Sequence, residues 1–450
     1  MGIDRSSFGK RQLRRLAFLA NVVVACVLLA WVAVPRAEPR VFPERIPVRF
    51  WHMWSGEWKI VIDKIVMRFN ASQNRYEVVA LSVPGGSADQ KFLMAVTGGD
   101  PPDVMAQWNQ VIPAWAESGL LVPLDTLMQP AEWAELQRSA YPVALKIGSY
   151  AGHLYGLTTG INVFACYYRP EHLEAVGAQA FPDSLEGLMA LADRLTRFDD
   201  AHRITRMGFM PAGFNMYAPI FGGGFFMDGR LSLNTPRNLR ALTFLSESRQ
   251  KYGFENVLKF ESSLNTGGFA TEWPFISGQY SVAVDGQWRV EQLAKYAPEL
   301  RYQTAPIPAP QGGKPLAGFS NGNFMIIPKG ARQVAGAYEF IKFWSGVDNP
   351  ERAAEFYTWG GWLPLSPRIT RTAPYQAYVR KYPQFETFLN MLSSENIQPT
   401  PPVPFQVLLT DRIIRAEEGA IRGSGSPLQA ISTLEADVAR EIARRKRFGL

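Results

Sequence analysis

From residue 47 onward, short apolar runs alternate with stretches of helical periodicity, and this alternation restricts the fold more than any other feature of the chain. "IPVRFW" reads as a buried strand. After it, Trp58, Ile62, Ile65 and Phe69 recur at helical spacing, with Ser55 placed as N-cap and Glu57 in the first turn. "YEVVALSV" at 76–83 is a second strand, closed by Pro84-Gly85-Gly86. Residues 87–97 form a helix started by Ser87, and "GGDPPDVMAQ" leads into a third, buried strand at 103–106. Strand–helix–strand–helix–strand implies a parallel sheet with right-handed crossovers. Ligands of such sheets sit where strand carboxyl ends turn into helices, so "HMWSGE" and "QWNQ" are candidate ligand loops.

The first of these loops lies within "FWHMWSGEW", which holds three tryptophans, Trp51, Trp54 and Trp58. Such rings either fill a core or line a pocket, and flat rings suit the C–H faces of sugars. The middle of the chain repeats the alternation. "GLTTGINVFACYYR" is an extended run, "DSLEGLMALADRLTRF" a helix capped by Asp183 or Ser184, and "YSVAVDGQWRVEQLAKY" reads strand, turn, helix. Thr235 and Pro236 open another helix as N-cap and N1. The last helix ends in Arg444, Arg445, Lys446 and Arg447, charges that favour a helix C-terminus.

A net charge of +7 suggests nucleic acid until it is divided along the chain. Residues 1–36 carry +5 of it, which leaves the body nearly neutral and removes the basis for nucleic-acid binding. Those residues form a basic segment, "GKRQLRR", followed by an apolar run from Leu16 to Val34 broken only by Asn21. This is an export leader. The run is long enough to span a bilayer and no clean cleavage site follows, so a cleaved signal and a retained membrane anchor both stay open. Cys26 lies in the leader, which leaves Cys166 alone in the body as a buried small residue with no disulfide partner after export.

Several chemistries are excluded by context. "GFSNG" at 318–322 matches a nucleophile elbow, but strand-like "NFMIIP" follows it where a helix is required. The four histidines, His52, His153, His172 and His202, all precede Ser320, against the hydrolase order. No H-E-x-x-H, C-x-x-C or dense acidic cluster supports a metal site. "FGGGFF" lacks the Lys-Ser/Thr of a phosphate loop. No cofactor is expected. A carboxylate pair for glycoside hydrolysis has no fixed spacing, so a membrane-anchored glycan-active enzyme stays open as the alternative.

Eight segments in fixed order then carry a resemblance. They are "VRFWHMWSGEWKIVIDKIVMRFNASQNRYEV", "TGGDPPDVMAQWN", "WAESGLLVPLD", "LYGLTTGINVFACYYRPEHLEAVG", "GGGFF…NTPRNLRALTFL", "GQYSVAVDGQW", "PLAGFSNGNFMIIPKGARQVAGAYEFIKFW" and "GGWLPLS". Across 47–450 the chain resembles extracellular solute-binding proteins of family 1, the sugar-binding components of bacterial ABC importers. The resemblance implies an α/β periplasmic-binding-protein type II fold: two α/β lobes with a ligand cleft between them, closing by hinge motion. Crossings are expected near 157–162, near 309–316 and around Gly360 to Leu365. After the leader at 1–46, lobe one takes 47–158 and 313–362, and lobe two takes 159–312 and 363–450. The implied partners are a small-molecule carbohydrate and the transmembrane subunits of a permease, with the protein itself a monomer outside the cytoplasm.

The same resemblance supplies cleft positions. In the first loop these are Trp54, as stacking ring or core filler, and Ser55, while Trp51 and Trp58 are assigned to the core. Gln107 and Asn109 either bond sugar hydroxyls or stabilise their loop. Asn162 sits on the first crossing, Asp285, Gln287 and Trp288 follow a strand, and Gly318 and Asn321 lie near the second crossing. Trp362 takes an aromatic slot, and Phe214 and Asn215 are lobe-two contacts. Relatives specific for glycerol phosphates have an arginine in the segment matching "PPVPFQVLLTDRI". Here Phe405, Gln406 and Val407 follow Pro404, with no cation before Arg412. A dianion without a basic anchor is expensive to desolvate, which favours a neutral oligosaccharide or polyol.

Overall fold

The computed structural model describes residues 40–83, 85–227, 230–264 and 270–448, and the leader lies outside them. Met1–Ile46 and Pro47–Leu450 form separate compact units. The described residues of the first unit hold a turn in which the Arg45 N–H donates to the Phe42 carbonyl at 3.0 Å. Everything below concerns the second. Among the described residues no helix is long and apolar enough to cross a membrane.

The βαβαβ start forms as the sequence predicts: β1 (Ile46–His52), α1 (Gly56–Ser72), β2 (Tyr76–Ser82), α2 (Gly85–Thr97) and β3 (Val104–Trp108). Strands β1 and β3 pair in parallel, with Phe50 opposite Val104 and His52 opposite Ala106. α3 (Ile112–Glu117) follows, and then a long strand, β4 (Gly156–Tyr168). Later come α4 (Phe214–Ile220), α5 (Pro236–Lys251), β5 (Val282–Gly286), α6 (Trp288–Tyr296), β6 (Gln303–Ala305) and β7 (Gly318–Ile326). The chain closes with α7 (Val334–Ser345), α8 (Pro350–Gly360), β8 (Ile397–Pro399), α9 (Gln406–Arg422) and α10 (Pro427–Arg447). These eight strands form one sheet in the order β5-β4-β7-β3-β1-β2, with β6 added to β4 and β8 to β7.

Two strands thread the body. β4 pairs antiparallel with β7 over residues 156–163 and with β5 and β6 over residues 164–168. β7 starts beside β8 and ends beside β3. β4 covers the first expected crossing, 157–162, and β7 begins just beyond the second, 309–316. At the third, one bridge joins Leu363 to Ile161, just after Gly361 in the left-handed conformation with φ 59°.

Two large buried clusters flank these strands. The first holds Val48, Phe50, Val104, Ile326 and Trp344, and the second Leu188, Phe214, Leu245, Leu409 and Leu434. Alternation along β4 serves both: Tyr167 joins the first cluster and its neighbour Cys166 the second. Leu365, Tyr375, Phe385, Phe388 and Ile397 join the first cluster, as do Val290 and Leu293. The reason is contact with one face of β4, where the Phe388 ring lies 5.7 Å from that of Tyr167.

Helix ends follow local chemistry. Thr235 caps α5 through the Asn238 N–H, and Ser426 with Gln429 forms a full capping box on α10. Glu417 of α9 accepts from Gly213 and Phe214 N–H, which fixes the start of α4. The terminal arginines differ in role. Arg444 pairs with Glu441 on its own helix, whereas Arg445 reaches Glu117 of α3, which also accepts from the Tyr150 hydroxyl at 3.0 Å. Arg445 is mostly buried and links α10 to the first cluster. Arg445→Ala is expected to cost about 1–2 kcal/mol in urea unfolding, and Arg444→Ala, at an exposed pair, under about 0.5 kcal/mol.

Candidate ligand-binding site

The carboxyl ends of the first strands open into a cavity of about 380 Å³, within the range of roughly 300–1,000 Å³ for ligand pockets. Five tryptophans line it: Trp54, Trp58, Trp108, Trp288 and Trp362. Met53 and Gly85 complete the apolar wall, and Ser55, Asn162, Gln292 and Asn323 supply the polar groups. None of these lining side chains ionises.

The rings form a floor. Trp54 and Trp362 each lie nearly parallel to Trp344, at 6.0 Å and 18° and at 6.1 Å and 19°. Trp54 and Trp362 are 6.2 Å apart, and Trp58 continues the row 5.8 Å beyond Trp362. Trp344 itself is fully buried on α7, so the floor is the outer layer of the first core. Glycines make the rings fit. A Cβ on Gly286 would meet the Trp288 ring at 1.9 Å, and one on Gly360 the Trp362 ring at 2.3 Å.

The sequence-predicted residues divide into three groups. Trp54, Ser55, Asn162, Trp288 and Trp362 line the cavity. Ser55 is the N-cap of α1 but makes no capping hydrogen bond, so its hydroxyl is not spent on the helix. A second group stands behind the wall. Gln107 donates to Asp89 at 2.7 Å and accepts from Trp108 N–H, while Asn109 accepts from Gly322 N–H, so both amides stabilise loops. Gln287, fully buried, bridges Val163 N–H, the Ile161 carbonyl and Asn162 Oδ1. Asn321 accepts from Asn162 Nδ2 at 2.8 Å. Asp285 accepts from Arg289 at 2.7 Å; burial pushes its carboxyl upward against the pull of that guanidinium.

The third group lies elsewhere. Phe214 is fully buried in the second cluster, because Glu417 turns the start of α4 inward, and Asn215 follows it there outside the cavity lining. Gly318 pairs with Ile397 at the far end of β7. Trp51 packs against the first core as expected, and Trp58, also assigned to the core, packs against it too while lining the cavity. Trp108, Gln292 and Asn323 were not expected. Each had a signal: β3 runs two residues past its predicted end, Gln292 sits one helical turn after Trp288, and Asn323 shares a strand face with Asn321.

Charges around the cavity are neutralised in pairs. Arg289 is held by Asp285, and Glu57 of α1 takes hydrogen bonds from Lys295 and Tyr296 of α6 beside the mouth. A larger hollow of about 710 Å³ lies against Met189, Phe221 and Phe244 of the second cluster. Its charged lining residues, Glu186, Arg240 and Glu247, are exposed and do not converge as buried polar groups.

The fold is that of a periplasmic-binding-protein type II protein. The chain matches the model of the bacterial extracellular solute-binding protein family over residues 64–387, and it belongs to that family. The sn-glycerol-3-phosphate-binding periplasmic protein UgpB of Escherichia coli K12 is 21% identical over 413 residues, covering 86% of this chain and 90% of the relative. The maltotriose-binding protein of Pyrococcus abyssi is 21% identical over 71% of this chain and 66% of its own length. Among solved structures, CpMnBP1 with mannotriose bound superposes with a TM-score of 0.75 at 24% identity, over 87% of this chain and 99% of the other. The sugar-binding protein MalE from Xanthomonas citri gives 0.73 at 20% identity, over 89% and 98%. At these identities the structures establish the fold.

His52, at the end of β1, carries one consequence for pH. It is buried between Phe50 and Trp54, and burial lowers its pKa from 6.5 to about 4. The folded protein therefore binds fewer protons than the unfolded chain in that window. Its contribution is complete above pH 6.5 and is lost as pH falls toward about 4. His172 shifts the same way, through burial and then Arg206 and Arg169. His52→Phe is expected to flatten, without abolishing, the fall in unfolding free energy measured from pH 6.5 to pH 4.

Proposed function

We propose that this protein is the substrate-binding subunit of an ABC importer and captures a neutral carbohydrate, an oligosaccharide or polyol, in the tryptophan-lined cavity. The observation that carries this reading is the lining itself: five tryptophans with Ser55, Asn162, Gln292 and Asn323, and no ionisable side chain. Flat rings bury the C–H faces of sugars, and neutral amides and a hydroxyl exchange hydrogen bonds with their oxygens. The mannotriose and maltotriose named for relatives agree with such a ligand.

The protein works outside the cytoplasm, exported by its leader, as a monomer that is either released or tethered by that leader. Ligand touching α1 and α6 together stabilises the closed cleft, which the permease subunits engage. A role in binding rather than turnover is supported by the lining, which offers no carboxylic acid to protonate a glycosidic oxygen.

The name of the Escherichia coli relative favours a second ligand, glycerol phosphate. Against it stands the absence of any cation among the lining residues. At the segment where phosphate-specific relatives carry an arginine, Gln406 is buried and donates to the Thr400 carbonyl, while Val407 is exposed. A dianion in this cavity would have no compensating charge.

Titration calorimetry of the purified protein with mannotriose, maltotriose and glycerol 3-phosphate tests the reading. Binding of a neutral saccharide, weakened about 30-fold by Trp288→Ala or Trp362→Ala, is expected. Binding of glycerol 3-phosphate alone overturns the neutral-ligand assignment.

A further inference from the structure

The amides of the cavity wall have fixed polarity, because groups behind them can hydrogen-bond in only one sense. The Arg289 guanidinium has donors and no acceptor. It is held by Asp285 at 2.7 Å and donates through Nη1 to Gln292 Oε1 at 2.9 Å. Gln292 must therefore turn its oxygen away from the cavity and its Nε2 toward it.

The same logic runs through the other wall. The Val163 backbone N–H can only donate, and it donates to Gln287 Oε1 at 3.1 Å. Gln287 Nε2 then faces the Ile161 carbonyl and Asn162 Oδ1, at 3.0 Å and 3.2 Å. That forces Asn162 to donate, through one N–H to Asn321 Oδ1 at 2.8 Å, with its second N–H left for the cavity. Asn323 does not add a third donor: its Nδ2 is buried away from solvent, while Thr158 and Thr159 both donate to its backbone carbonyl at 3.1 Å and hold the residue in place.

We propose that Asn162 and Gln292 form a one-sided, donor-only recognition surface, which selects ligands by acceptor oxygens at two points, and that Arg289 is the positioning residue that fixes Gln292 in its donating sense. The inference rests on the cavity being the ligand site. It adds a polarity rule: at these points the bound molecule accepts hydrogen bonds, so a protonated amino group there is rejected.

Mannotriose and maltotriose binding by calorimetry tests it. Gln292→Glu, which replaces the presented N–H by an acceptor while keeping Arg289 paired, is expected to weaken it about tenfold. Arg289→Lys still only donates and is expected to hold affinity within about threefold. The combined change Asp285→Asn, Arg289→Met removes the ion pair as a unit, frees Gln292 to turn over, and is expected to weaken binding by about the Gln292→Glu factor. Unchanged affinity in Gln292→Glu refutes the donor surface and leaves the carbohydrate reading standing. If the unaltered protein binds neither saccharide, the carbohydrate reading fails and the donor surface with it.

Discussion

The antiparallel pairing of β4 with β7 is the constraint on which the rest of the second unit depends. It runs from Ser320 opposite Val163 to Ile326 opposite Gly156, with one irregularity at Asn323 and Phe324. Because β4 alternates its side chains between two buried clusters, this ladder joins them and fixes their register. The irregularity has its own support, since two buried threonine hydroxyls converge on the Asn323 carbonyl. A bulge inside a central ladder re-aims the side chain that it carries. Here that side chain is part of the cavity wall.

Against this frame the cavity combines two materials. Its floor is aromatic and continuous with the core through Trp344, so ring positions are set by dense packing. Its walls are amides whose directions come from backbone groups and one buried ion pair. The charges that a phosphate ligand would need are present nearby but committed, Arg289 to Asp285 and Lys295 to Glu57. The proposed preference for an uncharged ligand rests on this pairing around the cavity as much as on the lining itself.

Much of this architecture was legible in the residues. Period-2 and period-3.6 patterns located β1 to β3 and their helices. Where individual side chains stand has further physical causes. β3 continues to Trp108, and a strand carried further reverses which residues are presented, so Gln107 and Asn109 stand behind the wall and Trp108 lines the cavity. Trp58 sits on a helical stripe with Ile62 and Ile65 and packs against the core, yet it opens the first turn, where it also lines the cavity. Phe214 lies in the second cluster because its direction is set by Glu417, about two hundred residues away, which no local pattern reports. Long-range partners also explain why residues 363–397 gather with the first cluster: the face of β4 that holds them is defined only once the sheet has formed.

The fully buried Trp344 beneath the floor bears on how such a protein can diversify. Changing a floor ring disturbs a side chain with no exposure of its own, so altered stacking and lost folding arrive together in one step. The amide wall carries no such coupling at Asn323 or Gln292, where single-base changes can alter hydrogen bonding and leave the core intact. Descendants acquiring new ligands would be expected to vary at the wall and keep the floor. Ancestry would then be recorded in the tryptophans, and diet in the amides.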